Sequence, residues 1–123
     1  MKNSGLFKEM FKNAYTGMVV LGQNSRLLFA NRAFLSMAEL DEKDVCDNYF
    51  YDCLHFEDRK TFVEEYDRLS RDELKHTVVE ARNCNDDRKH WSIDLSLQRE
   101  INGEKQFVFG IISDITEQKN VQH

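Results

Sequence analysis

Apolar positions near the start of the chain recur at helical spacing. Phe7, Met10, Phe11 and Ala14 share one face of a predicted amphipathic helix. Ser4 is its expected cap and Gly17 its stop. Residues 18–21 and 27–30 are short apolar runs, predicted as two strands joined by a turn at Gly22-Gln23-Asn24-Ser25. Asn31 suits the N-cap of a helix with Phe34, Met37 and Ala38 on one face. Asp41, with Asp44 three residues on, predicts another short helix begun by a capping box. Residues 49–54 are aromatic and compact. Glu57 and Asp58 then place negative charge in the first turn of a longer helix, where its dipole favours it. Phe62, Val63, Tyr66 and Leu69 form that helix's apolar stripe.

After residue 76 the period changes. Residues 77–82 read as a strand and Asn85-Asp86-Asp87 as a turn. From Trp91 the chain alternates, with Trp91, Ile93, Leu95 and Leu97 on one side and Ser92, Asp94, Ser96 and Gln98 on the other. Asn102-Gly103 predicts a tight hairpin, because a type I′ turn needs positive φ at both central residues. Residues 107–112 form the return strand. This order predicts an α+β fold: a five-stranded antiparallel sheet, helices packed on one face, and an N-terminal amphipathic helix.

Composition narrows the function classes. A chain of 123 residues is one domain. Seventeen Lys and Arg against 22 Asp and Glu give a net charge of −5, and no basic block is present. That balance argues against nucleic acid, whose binding draws on phosphate neutralisation. No apolar run approaches the roughly 20 residues of a membrane helix, and no signal peptide is visible, so a cytoplasmic location is expected. Cys46, Cys53 and Cys84 form no Cys-x-x-Cys pair and are expected as free thiols. Asp44 and Asp47 beside Cys46 disfavour its thiolate. His55, His76, His90 and His123 lack ligand-like spacing, so no metal is expected; His55 is expected as a structural residue at a helix start.

Four segments together resemble the PAS (Per-Arnt-Sim) family over roughly residues 6–119. Asn31-Arg32-Ala33-Phe34-Leu35 is similar to the family's Asn-Pro-Ala-Phe stretch, and His55-Phe56-Glu57-Asp58-Arg59 to its His-Pro-Glu-Asp-Arg. Trp91 matches a tryptophan often found entering the fourth strand. Gly110 to Lys119 resembles the closing Gly-x-x-x-Asp-Ile-Thr-Glu-Arg-Lys. Arg32 and Phe56 replace prolines, and Glu39, Asp47 and Asp87 stand where the family often has glycine. If those three keep positive φ, each costs on the order of 1 kcal/mol.

The resemblance implies a sensory module, not an enzyme. A small molecule would sit between sheet and helices, and its occupancy would pass to a C-terminal effector: a diguanylate cyclase, phosphodiesterase or histidine kinase. It divides the chain into an N-terminal helical cap (1–16), a core (17–117) and the start of a linker (118–123). Asp114 and Thr116 would form the relay to that linker, with Arg82 a candidate partner of Asp114. The cofactor stays unassigned. The cysteine of flavin-adduct photosensors aligns with Phe50, leaving Cys53 three residues away, so no covalent flavin adduct is expected. Residues 57–72 hold no histidine and the chain has no Cys-x-x-Cys-His, so haem is not expected either.

The expected pocket residues on the helical side are Phe34, Met37, Phe50, Tyr51, Leu54, Phe62 and Tyr66. If Trp91 faces outward, as in many relatives, Ser92, Asp94 and Ser96 line the interior and call for a polar ligand or ordered water. The reverse parity sends them to solvent and leaves the pocket apolar or filled. An outward Trp91 would join Phe7, Met10 and Phe11, and with them Phe107 and Phe109, in a homodimer surface. A ligand-free dimerisation or docking module is the alternative function. A small enzyme using Asp94 with His90 or His55 would require Asp94 in a deep cavity, within about 3 Å of a histidine.

Overall fold

The computed structural model describes residues 2–99 and 105–121. Helix α1 (Lys2–Asn13) precedes β1 (Gly17–Leu21), a 3-10 turn (Gln23–Ser25) and β2 (Leu27–Ala30). Helix α2 (Arg32–Ala38) leads into three further 3-10 turns (Glu42–Asp47, Phe50–Cys53 and Phe56–Asp58) and then α3 (Arg59–Ser70). Strands β3 (His76–Arg82), β4 (His90–Arg99) and β5 (Gln106–Asp114) follow, and α4 (Thr116–Val121) closes the described chain. The strands form one antiparallel sheet in the order β2-β1-β5-β4-β3. The predicted Asn102-Gly103 hairpin lies outside the described residues.

Local chemistry accounts for most boundaries. Asn31 caps α2 by accepting the Phe34 amide on its side chain, as its position predicts. α1 begins ahead of Ser4, which therefore lies within the helix, and it ends at Asn13, four residues before Gly17 opens β1. Asp41 stands at the predicted cap position, but its side chain makes no capping bond. Of the three residues at expected glycine positions, Glu39 alone has positive φ, at 56°, where it terminates α2. Asn24, Ser25 and Asp72 also have positive φ.

The core lies between one face of the sheet and the helices. Val19, Leu21, Ile93, Leu95, Trp91 and Ile112 enter it from the strands. Phe34, Phe50, Leu54, Phe62 and Leu69 enter from the helical side. Gly110 sits in this layer directly opposite Val19 and Leu95. A Cβ there would come within 2.8 Å of Val19 Cγ2, so the close approach of neighbouring strands explains the glycine of the closing motif.

The other face of the sheet is divided. Phe29, Val20, Phe109, Ser96 and His76 make one row across it; Met18, Ile111, Asp94 and Val78 make the next. The β2-β1-β5 half is apolar and the β4-β3 half is largely polar.

Candidate functional site

The structure separates the expected pocket residues into a packed centre and an open cleft. Phe34, Phe50, Leu54 and Phe62 are fully buried, while Met37 and Tyr51 pack against the core more loosely. Their rings form a continuous stack. Centroids are 5.5 Å apart for Phe34–Phe50, 5.1 Å for Phe50–Phe62 and 5.7 Å for Phe62–Tyr66. Trp91 meets Phe34 edge-on at 5.9 Å. Side chains thus occupy the space between sheet and helices.

Two expectations about β4 are therefore corrected. Trp91 is only 1% exposed and belongs to the core, not to a dimer surface. Ser92, Asp94 and Ser96 lie on the opposite face and line no interior pocket. The cause is the apolar weight of Trp91, Ile93 and Leu95, each worth about 1.5–3 kcal/mol on burial, against the cost of burying a carboxylate and two hydroxyls. Asp94 lies 2.7 Å from His76, a partner other than those expected. Both side chains are about half exposed on the open face of the sheet, not in the deep cavity that acid–base chemistry would require.

A cleft of about 350 Å³ opens where the β1–β2 turn meets α3. Asn24 and Ser25 contribute from the turn, and Tyr49 and Tyr51 from the segment before α3. Phe62, Val63, Tyr66 and Asp67 complete it from α3. Tyr49 and Tyr51 stack at 5.3 Å with planes 17° apart. Burial pushes the Tyr66 phenol above its ordinary range. Its hydroxyl donates to the Gly22 carbonyl at 2.6 Å, tying α3 to the turn. Ser25 is 1% exposed, and among the described residues its Oγ has no hydrogen-bond partner. An unpaired buried hydroxyl is unusual and points to a missing partner.

Of the expected pocket set, Tyr51, Phe62 and Tyr66 reach this cleft. Asn24, Ser25, Tyr49, Val63 and Asp67 were not anticipated as site residues. Val63 and Asp67 had a usable signal in their i, i+4 spacing beside Tyr66. Ser25 had none, because its positive φ of 65° is a conformation serine does not advertise.

The exit from the sheet lies at the far end of β5. Asp114 Oδ1 accepts the Thr116 amide at 2.9 Å and the Thr116 hydroxyl at 2.5 Å. Thr116 Oγ1 in turn accepts the His90 amide at 3.0 Å, clamping the start of α4 to β4. Lys119 pairs with Glu80 of β3 at 2.5 Å, holding α4 against the sheet.

Arg82 does not join this junction, which corrects the expected pairing with Asp114. β4 separates β3 from β5. Arg82 instead forks onto Asp58, with Nε 3.0 Å from Oδ2 and Nη2 2.9 Å from Oδ1, while its own amide donates to Oδ2 at 2.7 Å. Hydrogen bonds from Arg82 hold the Asp58 carboxyl below the usual carboxylate range, against a smaller opposing effect of burial.

This pair carries a pH-dependent prediction. Asp58→Asn should cost about 1–2 kcal/mol at neutral pH, the lower part of the charge-assisted range because both groups are partly solvated. The depressed carboxyl stabilises the fold fully above its unfolded pKa of about 3.9, and the contribution fades as pH falls through the lower folded value. Urea midpoints of wild type and Asp58→Asn should therefore converge below about pH 4. A gap that persists unchanged into acid would show that Asp58 acts by packing alone.

His55 Nδ1 accepts the Glu57 amide at 3.2 Å at the start of the turn before α3, a structural role. Cys46, Cys53 and Cys84 are free, and burial pushes the Cys53 thiol up to about 12. Among the described residues no three His, Cys, Asp or Glu side chains are grouped to hold a metal. No helix among them is long and apolar enough to cross a membrane. On α1, Phe7 is 76% and Met10 62% exposed, joined by Leu6 at 62%, whereas Phe11 is half-buried.

Comparisons with known proteins agree with this architecture. A family model described as PAS fold matches residues 11–120. No curated protein matches. A PAS domain from a two-component sensor histidine kinase superposes with a TM-score of 0.70 at 13% identity, over 92% of this chain and 96% of that one. The PAS domain of an HTR-like protein from Haloarcula marismortui gives 0.72 at 16% identity, over 93% of each chain. An RNA-binding light-oxygen-voltage receptor gives 0.77 at 19% identity, over 94% of this chain and 34% of the receptor. At these identities the likeness is one of fold.

Proposed function

The chain belongs to the PAS-fold family, and from that premise we propose that it is a sensory module whose ligand occupies the cleft beside α3. Occupancy would be relayed to a C-terminal effector of the diguanylate cyclase, phosphodiesterase or histidine kinase kind. The observation that carries this reading is the cleft itself, lined by aromatic rings and a buried hydroxyl without a partner. The free cysteines fit a reducing, cytoplasmic compartment. No reaction is assigned to the domain.

A physical connection to the exit supports the relay. α3 lines the cleft through Phe62 and Tyr66 and is bound to β3 by the Thr77 hydroxyl donating to Glu65 at 2.7 Å, while the turn leading into it is bound to β3 by Asp58–Arg82. β3 holds α4 through Glu80–Lys119. The Asp114–Thr116–His90 cluster fixes where α4 begins, so two arrangements of that short helix would give a switch its two states. On this reading residues 17–117 are the sensing core and 118–123 begin the linker.

A second reading is favoured by the filled centre and by the exposed Leu6, Phe7 and Met10 of α1. Here the domain is a ligand-free homodimerisation module, with α1 continuing onto Phe29 and Phe109 of the apolar half-sheet.

Native mass spectrometry of the chain purified from cells separates the two. The sensory reading expects a retained small molecule that is lost in Val63→Trp, a substitution at an exposed position that fills the cleft. Ligand release should also alter hydrogen exchange at the His90 and Thr116 amides; identical exchange would remove the relay. A bare chain that is dimeric, and becomes monomeric in Phe7→Glu/Met10→Glu, would establish the module as one of assembly.

A further inference from the structure

Resting on that reading, we propose that the cleft selects a flat aromatic molecule, neutral or cationic, bearing a hydrogen-bonding group for Ser25, and discriminates against anions. Shape comes first. The near-parallel Tyr49 and Tyr51 rings offer aromatic surface beside a volume of about 350 Å³, suited to a fused bicycle.

Charge comes second. Asp67 is the one charged residue in the lining. Neither Arg26, whose Nε donates to the Cys46 carbonyl at 3.1 Å, nor Arg71, which pairs with Glu73 at 2.6 Å, lines the cleft. A carboxylate beside aromatic faces attracts a cation twice over, by Coulomb attraction and by the ring quadrupoles, and repels an anion for the same reasons. A phosphate or carboxylate ligand would find no cation in that lining.

The polar anchor comes third. The Tyr66 hydroxyl is held by Gly22, which leaves the Ser25 Oγ as the buried group still lacking a partner. A hydroxyl both donates and accepts, so it can pair with a ring N–H or a ring nitrogen.

The test is an NMR titration of the full ¹⁵N-labelled chain with three probes that share one bicyclic ring and its N–H: tryptamine, indole and indole-3-acetate. Shifts should centre on residues 24–25, 49–51 and 62–67. Tryptamine should bind about tenfold or more tightly than indole-3-acetate at low salt. Asp67→Asn, at an exposed position, should reduce that ratio below about threefold, and Ser25→Ala should weaken all three probes by about fivefold. Indole-3-acetate binding these residues as tightly as tryptamine would overturn the charge selectivity. Absence of shifts there with every probe at millimolar concentration would overturn the ligand class. In that case a cell-derived ligand that Val63→Trp loses would still uphold the sensory reading, and a bare chain would end both.

Discussion

Phe50→Ala should lower the unfolding free energy by about 3–5 kcal/mol, the largest single loss expected in this domain. Phe50 is fully buried and stands between Phe34 and Phe62, tilted 25° and 33° to them. Its removal forfeits the transfer energy of the ring and two aromatic contacts, and leaves a void between a sheet and helices that can close only partly. Urea denaturation should show a lower midpoint with an unchanged slope. The void should also be dry and apolar, so benzene at saturating concentration should return part of the lost stability. A loss below about 1 kcal/mol would mean that the centre is loosely filled, and the argument for placing the ligand in the outer cleft would fall with it.

Asn31→Ala should cost about 3 kcal/mol, far more than an ordinary helix cap. The Asn31 side chain is 2% exposed and makes three bonds. Its Oδ1 accepts the Met18 amide at 2.8 Å and the Phe34 amide at 3.0 Å, and its Nδ2 donates to the Thr16 carbonyl at 3.0 Å. One amide therefore joins the start of β1, the segment leading from α1 and the first turn of α2. Alanine leaves three backbone groups without partners in a site that admits little water. Asn31→Asp keeps both acceptor bonds but sets a carboxylate against the Thr16 carbonyl, so its loss should fall between wild type and alanine. Chemical denaturation of the three proteins gives the order directly. Equal stability of Asn31→Ala and wild type would show that Asn31 is a replaceable cap.

The contrast between Asn31 and Arg82 shows what local sequence reveals. Asn31 precedes an apolar periodicity by the spacing of an N-cap, and that bond spans three residues of chain. Arg82 is only a candidate partner of Asp114 in the sequence, and its partner in the structure, Asp58, lies 24 residues away. Nothing at that separation is visible until strand order is known, and a β4 between β3 and β5 keeps Arg82 from Asp114. The cleft was half legible for the same reason. Tyr51 falls in the aromatic segment 49–54 and Phe62 and Tyr66 on an apolar stripe, whereas Ser25 and Asn24 reach the site by a left-handed turn in which neither position is a glycine.

Strand β4 shows where a resemblance and a residue pattern diverge. Its alternation separates Trp91, Ile93, Leu95 and Leu97 from Ser92, Asp94 and Ser96, and transfer energies alone favour burying the first set. Relatives offer an outward tryptophan as one of two parities, and the packing of Trp91 against Phe34 selects the inward one.

Sequence by itself determined the order of elements, the α+β class, the Asn31 cap and the motifs that mark a PAS domain, because periodicity and capping act within a few residues of chain. Tertiary structure alone decided what Arg82 holds, and that aromatic rings fill the centre while an open cleft remains beside the β1–β2 turn. Those outcomes depend on which surfaces meet across the fold, and surfaces far apart in the chain are brought together only by the sheet's strand order and the packing of helices upon it.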